Sequence, residues 1–389
     1  MRYDFDKIAD RRGTDCVKYD ACTEVFGRED VLPLWIADSD FPVAPFIIEA
    51  IRKRADHPVY GYTFHGTDFI NAVRNWVKRR NNWDIKPEWI GFSPGVVAGF
   101  SMGIQALSEP GDGVLIQPPV YPPFANMIRM NNRKVINNSL VWNGDKYEID
   151  FNDFEQKLQQ AKVFLMCNPH NPTGRVFTTE ELQRMGDLCV KHNVYIISDE
   201  IHSDLTYKPH QHVHIAALSE EIGKRTITIF APSKTFNVAG LTSSVTIIPD
   251  ESVRRRFSRQ LDLVAASHGN IFGTVALVAA YEQGDEWLDA FMEQMRQNAE
   301  YVNKTINERI PSVKVYMPES TFLLWLDFRE WGMDCDALCR QLIDAGLGLN
   351  AGKEFGEEGI GFMRINIATS MEVLQEAMRR LEKADKSRK

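Results

Sequence analysis

No stretch of this 389-residue sequence approaches the ~18 consecutive apolar residues of a membrane span, so no membrane-crossing helix is expected. Basic residues are not in excess: 45 Lys and Arg stand against 53 Asp and Glu, a net charge of -8. That balance opposes a nucleic-acid partner, which wants a concentrated basic face. The one basic cluster, "ADKSRK" at the C-terminus, reads as a frayed end. Six cysteines (Cys16, Cys22, Cys167, Cys189, Cys335, Cys339) include no C-x-x-C pair, which favours reduced thiols over a disulfide frame. The opening residues "MRYDFDKIADRRGTD" contain no apolar h-region, so no secretory signal and a cytoplasmic location are expected. Internal repeats and low-complexity segments are missing too.

What is present is alternation. "DFINAVRNWVKRRNN" carries apolar residues at helical spacing. "VVAGFSMGIQALSEPGDG" reads as a second helix closed by Pro110 and Gly111, and Thr178 to His192 as a third, capped by Thr178 or Thr179. Between and after them recur short apolar runs: "GVLIQ", "KVFLMC", "VYIIS", "TITIF" and "SVTIIP". Each is too continuous for a half-exposed strand, as buried strands of a mainly parallel sheet are. The pattern predicts an α/β fold with a doubly wound sheet and helices on both faces. Beyond residue 285, a long helix (Glu286 to about Arg309), "STFLLWLDF", a helix from Cys335 to Gly346, "GFMRINIA" and a last helix predict a smaller α+β domain. The expected division is a large domain over 46–285 and a small domain over 286–389, joined by the N-terminal segment 1–45.

In such sheets ligands bind beyond the carboxyl ends of the strands. "NPHNPTGR" follows "KVFLMC", "DEIHSD" follows "VYIIS", and "APSKTFN" follows "TITIF". Three strand ends thus deliver Asn171, Asp199 and Lys234. Singly, each has a plain reading: a turn residue, a helix cap, a solvated cation. Jointly they form the set that pyridoxal phosphate chemistry requires. A lysine bonds the cofactor covalently, a carboxylate keeps the pyridine nitrogen protonated, and a donor stabilises the phenolate oxygen.

"NPHNPTG", "SDEIHSDL" and "PSKTFNVAGL", in that order, resemble fold type I pyridoxal-phosphate enzymes of the aspartate aminotransferase superfamily. "LPLWIADSDFPVAPFIIEAI", "SPGVVAGF", "QPPVYPPF", "TFLLWLDFR" and "GFMRINIA" are similar to its MalY/PatB-like C–S lyase branch, the cystathionine β-lyase and cystalysin type. The resemblance spans nearly the whole chain. It implies Lys234 as the covalent anchor, Asp199 as partner of the pyridine nitrogen, Asn171 as donor to the phenolate oxygen, and His202 beside it. Tyr121 corresponds to the aromatic stacked on the ring, with Pro122 where some members have a second tyrosine. Gly95, Val96 and Val97 open the helix whose amides would take the phosphate, with Ser233 as a hydroxyl donor. Tyr62 matches a tyrosine that reaches the neighbouring subunit's phosphate, which implies a homodimer with shared active sites. Arg364 matches the arginine holding the substrate α-carboxylate, and Ala37 sits where the N-terminal segment closes over the substrate. Ala231 and Thr242 depart from relatives, which carry a serine and an arginine at those places.

The reaction this implies is α,β-elimination from L-cystathionine or another S-conjugate of L-cysteine. An aminotransferase reaction on an amino-acid substrate is the first alternative, and a regulatory protein binding a partner through this fold the second. "HQHVHIA" puts His210, His212 and His214 on one side of an extended segment. No metal site is expected there, because no nearby carboxylate or thiol completes a ligand set.

Overall fold

The computed structural model describes residues 3–388. Seven strands form its main sheet: β1 (Ile90–Ser93), β2 (Gly113–Ile116), β3 (Lys134–Asn137), β4 (Val163–Cys167), β5 (Tyr195–Asp199), β6 (Thr226–Phe230) and β7 (Ser244–Ile247). Their order is β1-β7-β6-β5-β4-β2-β3. The pairs from β3 to β6 are all parallel. β7, the "SVTIIP" run, is antiparallel to both its neighbours. Every residue of β2, β4, β6 and β7 is buried, which is why these segments read as continuous apolar runs rather than as alternation.

The pleat decides which face each side chain serves. Ile197, Ile227 and Ile229 meet Phe100 and Ile104 of helix Val96–Leu107 and Val253 and Phe257 of helix Glu251–Leu263. One residue out of step, Phe164, Met166 and Ile196 meet Leu182, Met185 and Cys189 of helix Thr179–Lys191 on the other face. Each such buried side chain contributes roughly 1.5–3 kcal/mol. Thr178 caps the last helix in a reciprocal box: its hydroxyl accepts from Glu181 N–H, and Glu181 accepts from Thr178 N–H at 2.9 Å. Helix Val96–Leu107 stops three residues before Pro110, because Ser108 is already extended.

A second, antiparallel sheet joins β8 (Lys314–Val315), β9 (Leu323–Asp327), β10 (Asn350–Ala351) and β11 (Phe362–Asn366) in the order β8-β9-β11-β10. Leu32–Pro33 of the N-terminal segment pairs with Leu347–Gly348 beside it. One buried cluster runs from Phe5 through Phe69, Trp76 and Trp287 to Leu381, and so includes residues of the N-terminal segment, the large sheet and the C-terminal part. The C-terminal tail is helical: Met371–Ser387 forms one helix, and Arg388 pairs with Asp385 at 2.9 Å. The expected fraying is thereby corrected up to residue 388, and Lys389 lies outside the described residues.

Candidate active site

Register places the chemistry. Cys167 is opposite Asp199, and Asp199 opposite Ile229, so the ends of β4, β5 and β6 lie side by side. Asp199 is the last residue of β5. Lys234 sits on the short helix Pro232–Thr235, four residues beyond Phe230. The buried Asp204 steadies that turn by accepting from Thr235 Oγ1 at 2.9 Å and Trp76 Nε1 at 3.0 Å.

These ends open on a cavity of about 380 Å³, a size suited to a small-molecule ligand. Ala37, Gly95, Val96, Val97, Tyr121, Asn171, Asp199, His202, Ser233, Lys234 and Arg364 all line it. The segment Trp35–Phe41 forms part of its wall and is tied on several sides. Lys234 Nζ donates to Ala37 O at 2.6 Å, and Arg364 Nη2 donates to Trp35 O at 2.8 Å. Asn366 Nδ2 donates to the carbonyls of Ile36 and Asp38, each at 2.6 Å. Asn237 Nδ2 holds those of Ser39 and Phe41. Behind the wall, Lys18 and Arg11 both donate to Asp40 Oδ1, and Arg11 also clasps Asp38.

Burial shapes the titration of the site. It pushes the Asp199 carboxyl up to about 7, against one hydrogen bond from Ile201 N–H. It pulls Lys234 down to about 8, partly offset by Asp38 and Asp199. The lysine keeps some accessible surface only because it faces the cavity, and the surrounding protein still desolvates its ammonium. His202 falls to about 3 through burial and the cations Lys234 and Arg364, so its imidazole is neutral at pH 7. Arg364 donates through Nη1 to Asn171 Oδ1 at 3.0 Å and through Nη2 to Asn350 Oδ1 at 2.6 Å. Asn171 therefore has only its Nδ2 left to donate elsewhere.

The residues fit pyridoxal phosphate. Buried polar atoms without a partner border the cavity: Arg364 Nε, His202 Nδ1 and Ser243 Oγ. A buried carboxyl raised to about 7 suits a protonated nitrogen, and no protein cation bonds to Asp199 among the described residues. Gly95 has φ +98°, and nothing lies within 4 Å of where its Cβ would stand, which leaves room for an anion at the start of a 12-residue helix. Gly95 N–H itself is taken by Ser93 O, so the amides left for an anion begin at Val96.

Tyr62 is 93% exposed, its ring against His268, and it lies outside this subunit's own cavity, as expected of a residue that serves a neighbour. One expectation changes. The histidine stretch does have a carboxylate partner: Glu200, next to Asp199 in sequence. Glu200 Oε2 accepts from His212 Nε2 at 2.9 Å and from His214 Nδ1, while His210 stays exposed. The two imidazoles hold Glu200 down at about 2 despite its burial. Glu200 ties the two imidazoles into one buried hydrogen-bonded cluster, in which His214 Nε2 has no partner. Glu200 lies 12 and 14 residues before its partners, with a turn between, and only the strand-end position of "DE" pointed to it. Ser243, Asn350 and Trp35 were also missed. Asn350 reaches Arg364 through cross-strand register alone.

Comparison with known proteins agrees with this geometry. The model of the family "Aminotransferase class I and II" matches residues 29–381. Cystathionine beta-lyase PatB of Bacillus subtilis is 42% identical over 383 residues, covering 98% of this chain and 99% of that one. Protein MalY of Escherichia coli is 35% identical, covering 94% of each. The crystal structure of cystalysin from Treponema denticola, which contains a pyridoxal 5'-phosphate cofactor, superposes with a TM-score of 0.97 at 36% identity, covering 100% of both chains. A likeness this complete means that the chain belongs to the aminotransferase class I and II family, as a fold type I pyridoxal-phosphate enzyme of its C–S lyase branch.

Proposed function

We propose that the protein cleaves L-cystathionine, or a related S-conjugate of L-cysteine, by α,β-elimination. With one water consumed, cystathionine gives homocysteine, pyruvate and ammonia. The observation that carries the chemistry is the meeting of Lys234, Asp199, Asn171 and Arg364 in one cavity. The choice of elimination over amino transfer follows the relatives named as cystathionine β-lyases.

When bound, pyridoxal phosphate supplies an electron sink for the pair left at the substrate Cα. Asp199 would face its ring nitrogen, Tyr121 its ring, and Asn171 Nδ2 and His202 its polar edge. The amides of Val96 and Val97, at the open turn of Gly95, would take the phosphate with Ser233. Arg364 grips the substrate carboxylate, exchanging Trp35 O for it and using its free Nε. Lys234 then takes the Cα proton. At a pKa of about 8, about a tenth of this amine is neutral at pH 7, enough for a general base. The Cβ–S bond breaks with its electron pair on sulfur, and the thiol leaves.

The same reading makes the enzyme a homodimer. Val59, Tyr60, Tyr62 and Phe64 are all more than half exposed on one segment, and a second subunit would cover them and bring Tyr62 to its phosphate site. Six free thiols suit a reducing, cytoplasmic setting. We take 1–45 with 286–389 as the small domain, in support of which Leu32 pairs with Leu347. Purified with cofactor, the protein should show a visible absorbance band that Lys234→Ala abolishes, with pyruvate release down by ~10³ or more. A band and activity untouched by that change would refute the assignment of Lys234.

A further inference from the structure

Four charged side chains line the cavity: Asp199, Lys234, Glu354 and Arg364. The reaction above uses three of them. Glu354 is left over, and it is also the exposed one. It belongs to the single turn Gly352–Phe355, whose last residue is buried with its ring 5.0 Å from the Arg364 guanidinium carbon. That turn packs closely on neighbouring backbone: a Cβ on Gly352 would fall 2.1 Å from Gly359 O. Phe355 thus points inward and Glu354 stays at the rim. Its Oε2 accepts from Asn350 Nδ2 at 3.3 Å, and Asn350 Oδ1 accepts from Arg364 Nη2 at 2.6 Å. One amide therefore separates the leftover carboxylate from the group that grips the substrate's α-carboxylate.

The neighbouring lining is neutral or apolar: Trp35, Ile36, Tyr121, Pro122 and Phe355. Such a wall serves any thioether, and hydrophobic walls discriminate weakly. A carboxylate among them does not suit an apolar group, because desolvating it without a partner is unfavourable. It suits a cation on the substituent. We propose that Glu354 is a specificity determinant that favours β-substituents carrying a distal ammonium, as L-cystathionine and L-cystine do, over substituents that are neutral or purely anionic. This rests on the lyase reading above.

The holoenzyme can be tested with L-cystathionine and S-(3-carboxypropyl)-L-cysteine, which differ only by the distal amino group. The wild type should have the higher kcat/KM for cystathionine. Glu354→Gln keeps an oxygen to accept from Asn350 and removes only the charge. It should lower that preference about fivefold, the upper range for exposed ion pairs, through KM for cystathionine. Glu354→Asp should retain more of the preference, and 0.5 M salt should erode it in the wild type. An unchanged ratio, or equal losses on both substrates, would overturn the proposal and leave Glu354 as a support for Asn350. If the wild type releases pyruvate from neither substrate, the lyase reading fails first and this one with it.

Discussion

Lys18 offers the sharpest test of how the cavity wall is held. Its Nζ stands 2.8 Å from Asp40 Oδ1, and neither side chain has any exposed surface. Arg11 reaches the same oxygen at 3.1 Å, while Asp40 Oδ2 has no partner. Lys18→Met keeps the apolar stem and leaves a buried carboxylate with Arg11 as its remaining ion-pair partner. Breaking a buried pair from one side costs ~3–5 kcal/mol, and the remaining arginine argues for the lower end, about 3. With ~2.1 cal/mol/K of unfolding entropy per residue over 389 residues, that is a fall in Tm of about 4 °C. The segment carrying Ala37 O and Trp35 O would loosen at the same time, so KM should rise, by about tenfold if ~1.4 kcal/mol of that loss falls on Arg364. Adding Asp40→Asn removes the stranded charge and should restore at least half of the lost Tm. Thermal melts by circular dichroism and pyruvate-release kinetics measure both. A single variant melting within a degree of wild type at unchanged KM would refute the reasoning, as would a double variant no better than the single.

Two more outcomes follow from the site. Asp199 holds its proton more tightly folded (about 7) than its usual 3.8, so between those pH values the native state binds more protons and cofactor-free stability falls as pH rises. The loss approaches ~4 kcal/mol above pH 7, at 1.36 kcal/mol per unit. Stripped Asp199→Asn should therefore melt above stripped wild type at pH 8 and level with it at pH 4. Equal differences at both would contradict the assignment. Arg364→Lys should raise KM for cystathionine by ~30-fold or more, with a smaller effect on kcat, because an ammonium cannot pair side-on with a carboxylate. Steady-state kinetics decide it.

How much of this was legible in the sequence depended on distance along the chain. Strands β4, β5 and β6 are wholly or almost wholly buried, so their runs were plain, and residues just past them had to face one end of the sheet. Asp199, Asn171 and Lys234 were found in that way. The direction of β7 was not legible, since an antiparallel strand buried on both faces has the same composition as a parallel one. Contacts made by register or by distant loops were hidden as well: Asn350 with Arg364, Glu200 with its two histidines, and Lys18 with Asp40, 22 residues apart. No local spacing encodes such pairs.

The electron pair left at the substrate Cα is proposed to expel a thiolate from Cβ, rather than leaving the substrate's amino group on the cofactor. Purified holoenzyme should be given L-cystathionine with no keto acid present, and pyruvate, ammonia and homocysteine followed together. The account predicts equal amounts of all three over many turnovers per active site. Consumption of one amino group per site, with turnover resuming only on addition of 2-oxoglutarate, would contradict it.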